Sequence, residues 1–277
     1  MAKYYKIAFF ILLIAPKLFA TDHKKHDPDI KNENSKAKKA EKKGPKDGIS
    51  VGVATVISES VYRGVGNKFA VLPVFTIKYG NFYLRGSRAS YKIFGNKQIS
   101  FGATLALDLF SGGYESDDSD SLRGMDERKG TLYGGAFSRL KLGLFSIQAV
   151  VKKDLIGVHT GVVSGLGGSL MIPIMHFLKS QPVKMIGLNY QLNHYDESYI
   201  NYYYGVKETE ATPSRPLYKR KGTLTSSTSL FIRAKFSDQV SGMLLIKREF
   251  LSRIIRDSPI VSEKRLDRAF LSVMYRF

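Results

Sequence analysis

Residues 98–110 read QISFGATLALDLF, and this stretch alternates between apolar and small or polar side chains along its whole length. The apolar members share one parity, which comprises Ile99, Phe101, Ala103, Leu105, Leu107 and Leu109. Successive side chains of a β-strand point to opposite faces, whereas an amphipathic helix groups its apolar residues three and four apart. The stretch is therefore predicted to be a long β-strand with one apolar face.

The same period of two recurs from residue 49 to the end of the chain. Eleven segments read as strands, at about residues 49–57, 69–79, 82–93, 98–110, 131–141, 144–154, 162–174, 182–193, 222–236, 240–250 and 267–277. Several exceed the length of about five or six residues that is typical of soluble strands. Their polar faces carry Gly, Ser, Thr, Asn and Gln more than dense charge, which is typical of a transmembrane barrel whose apolar face meets lipid.

The connections alternate between short turns and long polar links, as they do between the two sides of an outer-membrane barrel. Such a barrel needs an even number of strands, so one strand of the eleven is missed or merged. The alternation changes phase within residues 82–94, which indicates two strands there. A bulge at Gly86 is the alternative, with the missing strand then in residues 58–68. We predict an all-β, antiparallel, up-and-down transmembrane barrel of twelve strands, with ten as the alternative.

Three sets of side chains are assigned to places on this barrel. Aromatic residues near strand ends are predicted to form interfacial girdles, and they are Tyr79, Phe82, Tyr91, Phe94, Tyr133, Phe145, Tyr190 and Tyr195. Arg233 and Lys235 share a predicted lumen face and are candidate channel-lining cations. Asp117, Asp118 and Asp120 are predicted to lie in a solvated extracellular loop, with weak binding of a divalent cation as the alternative.

The N-terminal residues carry export information. Residues 1–20 combine Lys3 and Lys6 with the short apolar run IAFFILLIA and a small residue, Ala20, which is the layout of a secretory signal peptide. Residues 21–48 hold nine Lys, six acidic residues and no aromatic residue, and are predicted to be a disordered periplasmic tail. The barrel is assigned to residues 49–277. Export argues against a nucleic-acid partner despite the formal net charge of +19.

Few residues of this chain suggest catalysis. The 277 residues include no Cys, which excludes disulfides and thiol chemistry. His159, His176 and His194 are isolated from one another, and no phosphate-binding glycine pattern occurs. We therefore predict no enzyme, no cofactor and no metal, with His159 beside a rim serine as the enzymatic alternative.

The last residues are predicted to form a strand that ends in an aromatic residue. Leu271, Val273, Tyr275 and Phe277 share one face, and Phe277 is the final residue. This pattern resembles the C-terminal signature that the barrel assembly machinery recognises in outer-membrane proteins. It predicts that machinery as a partner and the outer membrane of a Gram-negative cell as the destination.

Four strings, taken in order, resemble the MipA/OmpV family of outer-membrane proteins, also called the MltA-interacting protein family. They are VLPVF at 71–75 with YGNFYLRG at 79–86, the acidic residues 115–120 with LRG at 122–124, YYGV at 203–206 and DSPIV at 257–261. The chain departs from the family in its Lys-rich tail and at residues 158–161, which read VHTG where members often have Gly-His-Asp-Gly.

The resemblance implies a monomeric barrel in contact with outer-membrane lipid and lipopolysaccharide. For the founding member it implies a scaffold that joins a murein lytic transglycosylase to a bifunctional penicillin-binding protein. We therefore expect a peptidoglycan-linked scaffold. A small-solute channel with mild anion preference is the alternative.

Overall fold

The computed structural model describes residues 47–108, 113–174 and 182–277. The predicted signal peptide, the tail up to residue 46 and His176 lie outside the described residues. Among the residues that are described, no helix is long and apolar enough to cross a membrane.

Within the described residues, twelve antiparallel strands close into one barrel. They are β1 (Gly48–Ser58), β2 (Lys68–Tyr79), β3 (Phe82–Arg85), β4 (Arg88–Gly95), β5 (Ile99–Leu107), β6 (Leu132–Leu142), β7 (Phe145–Asp154), β8 (Val162–Pro173), β9 (Val183–Tyr195), β10 (Thr223–Lys235), β11 (Val240–Phe250) and β12 (Arg265–Arg276). Each strand pairs with its neighbours in the sequence, and β1 closes the barrel on β12. The predicted up-and-down topology and strand number are confirmed.

The two ends of the barrel differ in their connections. At one end, called the turn end below, tight links such as residues 80–81, 96–98 and 143–144 join the strands. At the other end, called the loop end, residues 59–67, 113–131, 196–222 and 251–264 belong to long connections. Two short helices lie in these long connections, α1 (Glu197–Tyr204) and α2 (Arg253–Arg256).

Residues 82–94 form two strands, which explains the odd number counted from the sequence. The chain reverses at Gly86 and Ser87, where Gly86 has a φ of +55° and Arg85 pairs with Arg88 across the turn. Because the reversal inserts two unpaired residues, the alternation of β4 is out of phase with that of β3. The strand that was missing from the count therefore lies within residues 82–94, as predicted, and not within residues 58–68. The alternative of a bulge at Gly86 is wrong, and residues 59–67 form a loop.

The outer surface of the barrel is apolar. On β1, Val53 is 55% exposed while the adjacent Ala54 is 1% exposed, and on β12 the same contrast separates Val273 at 51% from Ser272 at 4%. A soluble barrel would place its large apolar side chains inside. This one places them outside and lines its interior with smaller and polar groups, as a barrel surrounded by lipid does.

The predicted aromatic girdles are partly wrong. Outward-facing and exposed members are Tyr79, Tyr91, Phe94, Phe145 and Tyr190. Tyr133, however, is 1% exposed, and Tyr195 accompanies it inside the barrel, where it stacks on Tyr199 at 4.3 Å between ring centroids. Both tyrosines belong to the inward parity of their strands and pack beneath the long loops, away from lipid.

Candidate functional site

The long loops pack together over the loop end of the barrel. Their buried apolar side chains form one cluster with inward residues at the tops of the strands. Its members are Val61, Tyr62, Tyr114, Leu122, Met125, Tyr133, Val163, Tyr199, Ile200, Tyr203, Tyr204, Val206, Tyr218, Leu251, Ile255, Ile260, Val261 and Leu266. We call this cluster, with the loops that carry it, the cap. Because several of its side chains are fully buried, the cap is a packed core in its own right.

Helix α1 sits at the centre of the cap and is tied to the barrel wall. The Asp196 carboxylate caps the helix by accepting a hydrogen bond from the Tyr199 N–H at 2.9 Å, and it also accepts one from the Val162 N–H at 2.7 Å. The helix ends before Gly205, where a Cβ atom would lie 2.3 Å from the Asn201 carbonyl oxygen. These contacts keep α1 short and turn its tyrosines toward the barrel.

Tyrosine hydroxyl groups join the loops of the cap to one another. The Tyr62 hydroxyl donates to the Tyr203 carbonyl at 3.0 Å, and the Tyr203 hydroxyl donates to the Lys129 carbonyl at 2.9 Å. Burial raises the pKa of both phenols above their usual value, so both remain proton donors across the physiological range. The hydroxyls thereby satisfy loop carbonyls that the cap has removed from water.

A buried ion pair holds two of these loops together. The Arg128 guanidinium donates to both carboxylate oxygens of Glu210, at 2.9 and 3.1 Å. Burial alone would raise the pKa of the Glu210 carboxyl, but hydrogen bonds from the Lys207 N–H and from Arg128 outweigh burial and lower that pKa. The carboxylate is therefore ionised and fully hydrogen-bonded inside the cap.

His159 lies under the cap in a ring of tyrosines. Its Nδ1 accepts a hydrogen bond from the Gly161 N–H at 2.9 Å, so its proton is on Nε2, which lies 2.9 Å from the Tyr133 hydroxyl oxygen. Burial lowers the pKa of the imidazole and keeps it neutral. Among the described residues, neither ring nitrogen is hydrogen-bonded to a serine, the partner that the enzymatic alternative requires.

The lumen is packed toward the loop end and open to solvent toward the turn end. Buried inward side chains, most of them in the half next to the cap, are Ala54, Val56, Ser58, Thr104, Tyr133, Asp154, Val163, Asn193, Thr225, Ser227, Phe231, Glu249, Leu266 and Ser272. Inward residues nearer the turn end, among them Arg139, Lys141 and Arg276, are exposed. Water therefore reaches the lumen from the turn end, while the cap closes the opposite end.

The two predicted lumen cations occupy different places. Arg233 lies inside the barrel with its guanidinium 5.4 Å from the centre of the Phe231 ring. Lys235 lies at the rim of the turn end, where its ammonium group pairs with Asp238 at 2.5 Å. The structure thus separates a lumen arginine from a lysine that a turn carboxylate neutralises.

The predicted acidic loop lies at the loop end, between β5 and β6. Asp118 is 3.8 Å from the Lys68 ammonium group and Asp120 is 2.8 Å from the Arg123 guanidinium group, while Asp117 directly precedes Asp118 in the chain. In the part of the chain that the structure describes, no group of three His, Asp or Glu side chains is arranged to hold a metal ion.

The basic excess of the chain is concentrated in the lumen and at the turn end. Basic side chains at the turn end are Lys78, Lys92, Lys97, Lys141, Lys184, Lys235 and Arg276, whereas the acidic ones among the described residues there are Asp47 and Asp238. Residues of both signs are mixed over the loop end, where most of the remaining ion pairs lie. The two ends of the barrel therefore differ in charge.

The final strand presents its apolar face outward. Leu271, Val273, Tyr275 and Phe277 are 55%, 51%, 41% and 75% exposed, and Tyr275 and Phe277 form an edge-to-face pair at 5.2 Å. The strand that carries them is paired on both sides, with β11 and with β1.

A closed antiparallel barrel with a lipid-compatible outer surface defines the class of outer-membrane β-barrels. The family model described as "MltA-interacting protein MipA" matches residues 51–277, and the chain belongs to this family. The protein accordingly resides in the outer membrane, where barrels of this class have short turns on the periplasmic side and longer loops on the extracellular side.

Named relatives agree with this location. Outer membrane protein OmpV of Vibrio cholerae serotype O1 is 26% identical over 191 residues, covering 69% of this chain and 72% of that protein. Outer membrane protein Omp26La of Vibrio anguillarum is 25% identical over 195 residues, covering 68% and 70%. Among solved structures, the COG4313 outer membrane channel from Pseudomonas putida F1 covers 87% of this chain and 100% of its own, with a TM-score of 0.43 and 12% identity.

Proposed function

We propose that the protein is a non-enzymatic scaffold that connects the outer membrane to murein-cleaving or murein-synthesising enzymes at its turn end. The observation that carries the proposal is the contrast between the two ends. The cap closes the loop end, while exposed basic side chains such as Lys97, Lys141 and Arg276 face the periplasm. The family description, MltA-interacting protein, names a protein partner for the family and supports the same role.

A basic rim suits an acidic partner. Complementary charge steers association and fixes orientation more than it raises affinity. The turns that carry these lysines are short extensions of paired strands, so the docking surface is rigid and loses little entropy on binding. We further propose that the barrel acts as a monomer in contact with lipopolysaccharide, and that the barrel assembly machinery inserts it through its last strand.

Site-specific crosslinking in intact envelopes tests the scaffold. A photo-crosslinking residue at Asn96, in an exposed turn beside Lys97, is expected to capture a protein that mass spectrometry identifies as a murein-cleaving or murein-synthesising enzyme. The same residue placed at Glu263, which is exposed at the loop end, is the matched control and should capture none. Crosslinks at Asn96 that contain no murein enzyme would remove the scaffold proposal.

Charge-reversal variants provide a second test of the scaffold proposal. Lys97→Glu combined with Lys141→Glu should reduce the yield of the Asn96 crosslink, because both lysines are exposed at the turn end. Lys221→Glu combined with Lys264→Glu changes the net charge equally at the loop end and should leave the yield unchanged. An equal decrease of the crosslink yield in the two double variants would mean that the basic side chains of the turn end do not contact the partner.

The second candidate function is a small-solute channel with mild anion preference. It is favoured by Arg139 and Arg233, which are exposed inside the lumen, and opposed by the cap. Planar bilayer recordings decide between the two. A channel should show anion-selective conductance that Arg233→Gln makes less selective and that loosening the cap with Arg128→Met increases. A parent protein that shows no conductance in planar bilayers would rule out the channel.

The non-enzymatic assignment has its own test. Both ring nitrogens of His159 are engaged, by Gly161 and Tyr133, which leaves the imidazole no free position from which to activate a serine. Purified protein is expected to show no hydrolysis or transfer of lipid acyl chains. Activity that is present in the parent and absent from His159→Ala would contradict the assignment.

A further inference from the structure

Two arginines flank the tight turn between β3 and β4. Arg85 and Arg88 are directly paired across the turn, and both belong to the inward parity of the barrel, since Arg85 also pairs with the inward Thr76 and Arg88 with the inward Ala106. Like charges in directly opposed positions of an antiparallel pair destabilise it. The hairpin therefore places two inward-facing arginines at directly opposed positions, at an electrostatic cost.

Two further arginines extend this pair into a cluster. Arg85 and Arg139 of β6 both act electrostatically on Arg88, and Arg85 acts likewise on Arg233 of β10. We call Arg85, Arg88, Arg139 and Arg233 the lumen arginine cluster. Its members come from four strands, so it is produced by closure of the barrel and not by a local run of basic residues.

The partners that orient these arginines are neutral. The Arg85 Nη2 donates to the Met243 sulfur at 2.8 Å, and the Arg139 Nη2 donates to the Gln148 side-chain oxygen at 2.9 Å. Arg233 lies over the Phe231 ring at 5.4 Å. The cluster is thus oriented without being neutralised.

Carboxylates pair with other arginines but not with this cluster. In residues 47–108, 113–174 and 182–277, ion pairs join Arg128 to Glu210 and Arg248 to Asp267, and none includes a member of the lumen arginine cluster. Asp108, which follows β5, opposes the effect of the neighbouring arginines on Arg88. The cluster therefore retains a net positive charge.

Solvent reaches the cluster from the periplasmic side. Arg88, Arg139 and Arg233 face inward and their side chains are nevertheless accessible, so the lumen around them is not filled by other side chains. The cap covers the loop end, whereas the turn end has an open surface depression lined by Lys92, Asn96, Lys97 and Gln98. A ligand for the cluster would therefore enter from the turn end, past further basic side chains.

We propose that the lumen arginine cluster is a binding site for a small periplasmic anion that carries two or more carboxylate or phosphate groups. Guanidinium groups bind such oxyanions through paired, charge-assisted hydrogen bonds, and a bound anion would relieve the repulsion between Arg85 and Arg88. The site requires neither conduction through the barrel nor a scaffold partner, so it stands independently of the proposed function.

Titration calorimetry on the full chain in detergent at low ionic strength tests the site. Pyrophosphate and citrate are the two probes, and the tighter of the two identifies phosphate or carboxylate as the preferred group. Arg85→Gln combined with Arg88→Gln should weaken binding by about tenfold or more, since several hydrogen bonds to charged groups are lost. Arg253→Gln combined with Arg256→Gln removes the same charge from the exposed surface of α2 and should bind as the parent does.

Two results would overturn the site. One is a parent protein that binds neither probe. The other is an equal loss of affinity in the α2 control, which would reduce the effect to net charge. Heat-modifiable gel mobility reports whether each variant is folded. If the hairpin variant does not fold, Arg139→Gln and Arg233→Gln are measured singly, and parent-like affinity in both also overturns the proposal.

Discussion

Arg128 and Glu210 form an ion pair that joins two loops 82 residues apart in the sequence, and their side chains are only 1% and 2% exposed. Desolvation of both charges is costly, and the cost is offset only while the two remain together. Arg128→Met should therefore destabilise the cap by about 3–5 kcal/mol, because it leaves the Glu210 carboxylate buried without its partner. Since the chain contains no Trp, near-ultraviolet circular dichroism of its tyrosines follows unfolding of the cap on heating.

The matched variant combines Arg128→Met with Glu210→Leu. It removes both charges at once and should recover most of the stability that the single change loses, because apolar pairs commonly replace buried ion pairs without loss. A double variant as unstable as Arg128→Met alone would show that the hydrogen bonds from Arg128 to the Tyr202 and Asp126 carbonyls, and not the charge pair, hold the cap.

Cap stability is expected to fall in mild acid because of His159. Burial lowers the pKa of its imidazole in the folded protein, against the opposing effect of Asp154 and Asp196. As the pH falls below the pKa of His159 in the unfolded chain, about 6.5, the unfolded chain binds a proton that the folded protein does not yet bind. The free energy of unfolding therefore decreases until the pH also falls below the pKa of His159 in the folded protein. The tyrosine unfolding temperature should therefore be lower at about pH 5.5 than at about pH 7.5.

His159→Gln should weaken this pH dependence, and His194→Gln, on the outer face of β9, should leave it unchanged. Burial is the physical reason, because the imidazolium form of His159 would lose its hydration inside the cap. The hydrogen bond that Nδ1 accepts from the Gly161 N–H would also be lost on protonation of this nitrogen. An unfolding temperature of the His159→Gln variant that depends on pH as strongly as that of the parent would assign the effect to another group.

The turn at Gly86 is expected to tolerate few replacements. Its φ of +55° lies in the left-handed region, although a Cβ there would meet open space. Gly86→Val should therefore destabilise the barrel through backbone strain, by about 1–2 kcal/mol, while Gly86→Asn should cost less. Guanidinium unfolding in detergent measures both, with Ser87→Ala as the control. Equal stability of the Val and Asn variants would mean that the turn relaxes to another conformation.

The terminal aromatic residue is expected to matter for assembly more than for stability. Phe277 is 75% exposed on the lipid-facing side of β12, so Phe277→Ala removes few internal contacts. We expect less folded protein in the outer membrane of cells that make this variant, measured as the heat-modifiable fraction. Arg276→Ala, at the neighbouring inward position, is the control. Unchanged assembly of Phe277→Ala would argue against recognition of this residue.

The sequence predicted the barrel well because strand periodicity is a local property. Alternation over 98–110 identifies β5 without any knowledge of its neighbours, and the change of phase near Gly86 marks the additional strand. The prediction for Tyr133 and Tyr195 rested on their position near strand ends and did not apply the alternation, which places Tyr195 on the face opposite Tyr190. Both tyrosines lie under the cap and not against lipid.

The cap was not predicted, because its contacts join loops that are distant in sequence and have no period. Arg128 and Glu210 give no local sign of their pairing. The one available signal was composition, since residues 199–206 read YINYYYGV inside a link that was interpreted as a polar loop. So many buried tyrosines in a connection indicate packing rather than solvation. The lumen arginine cluster was equally hidden, although Arg233 was identified as one lumen cation.

β1 pairs with β12, which brings Val53 opposite Val273. The barrel therefore cannot close until β12 has crossed the inner membrane. A nascent or truncated chain would expose two unsatisfied strand edges, which are templates for aggregation. The chain therefore stays prone to aggregation until its first and last strands meet, and this single pairing completes the barrel.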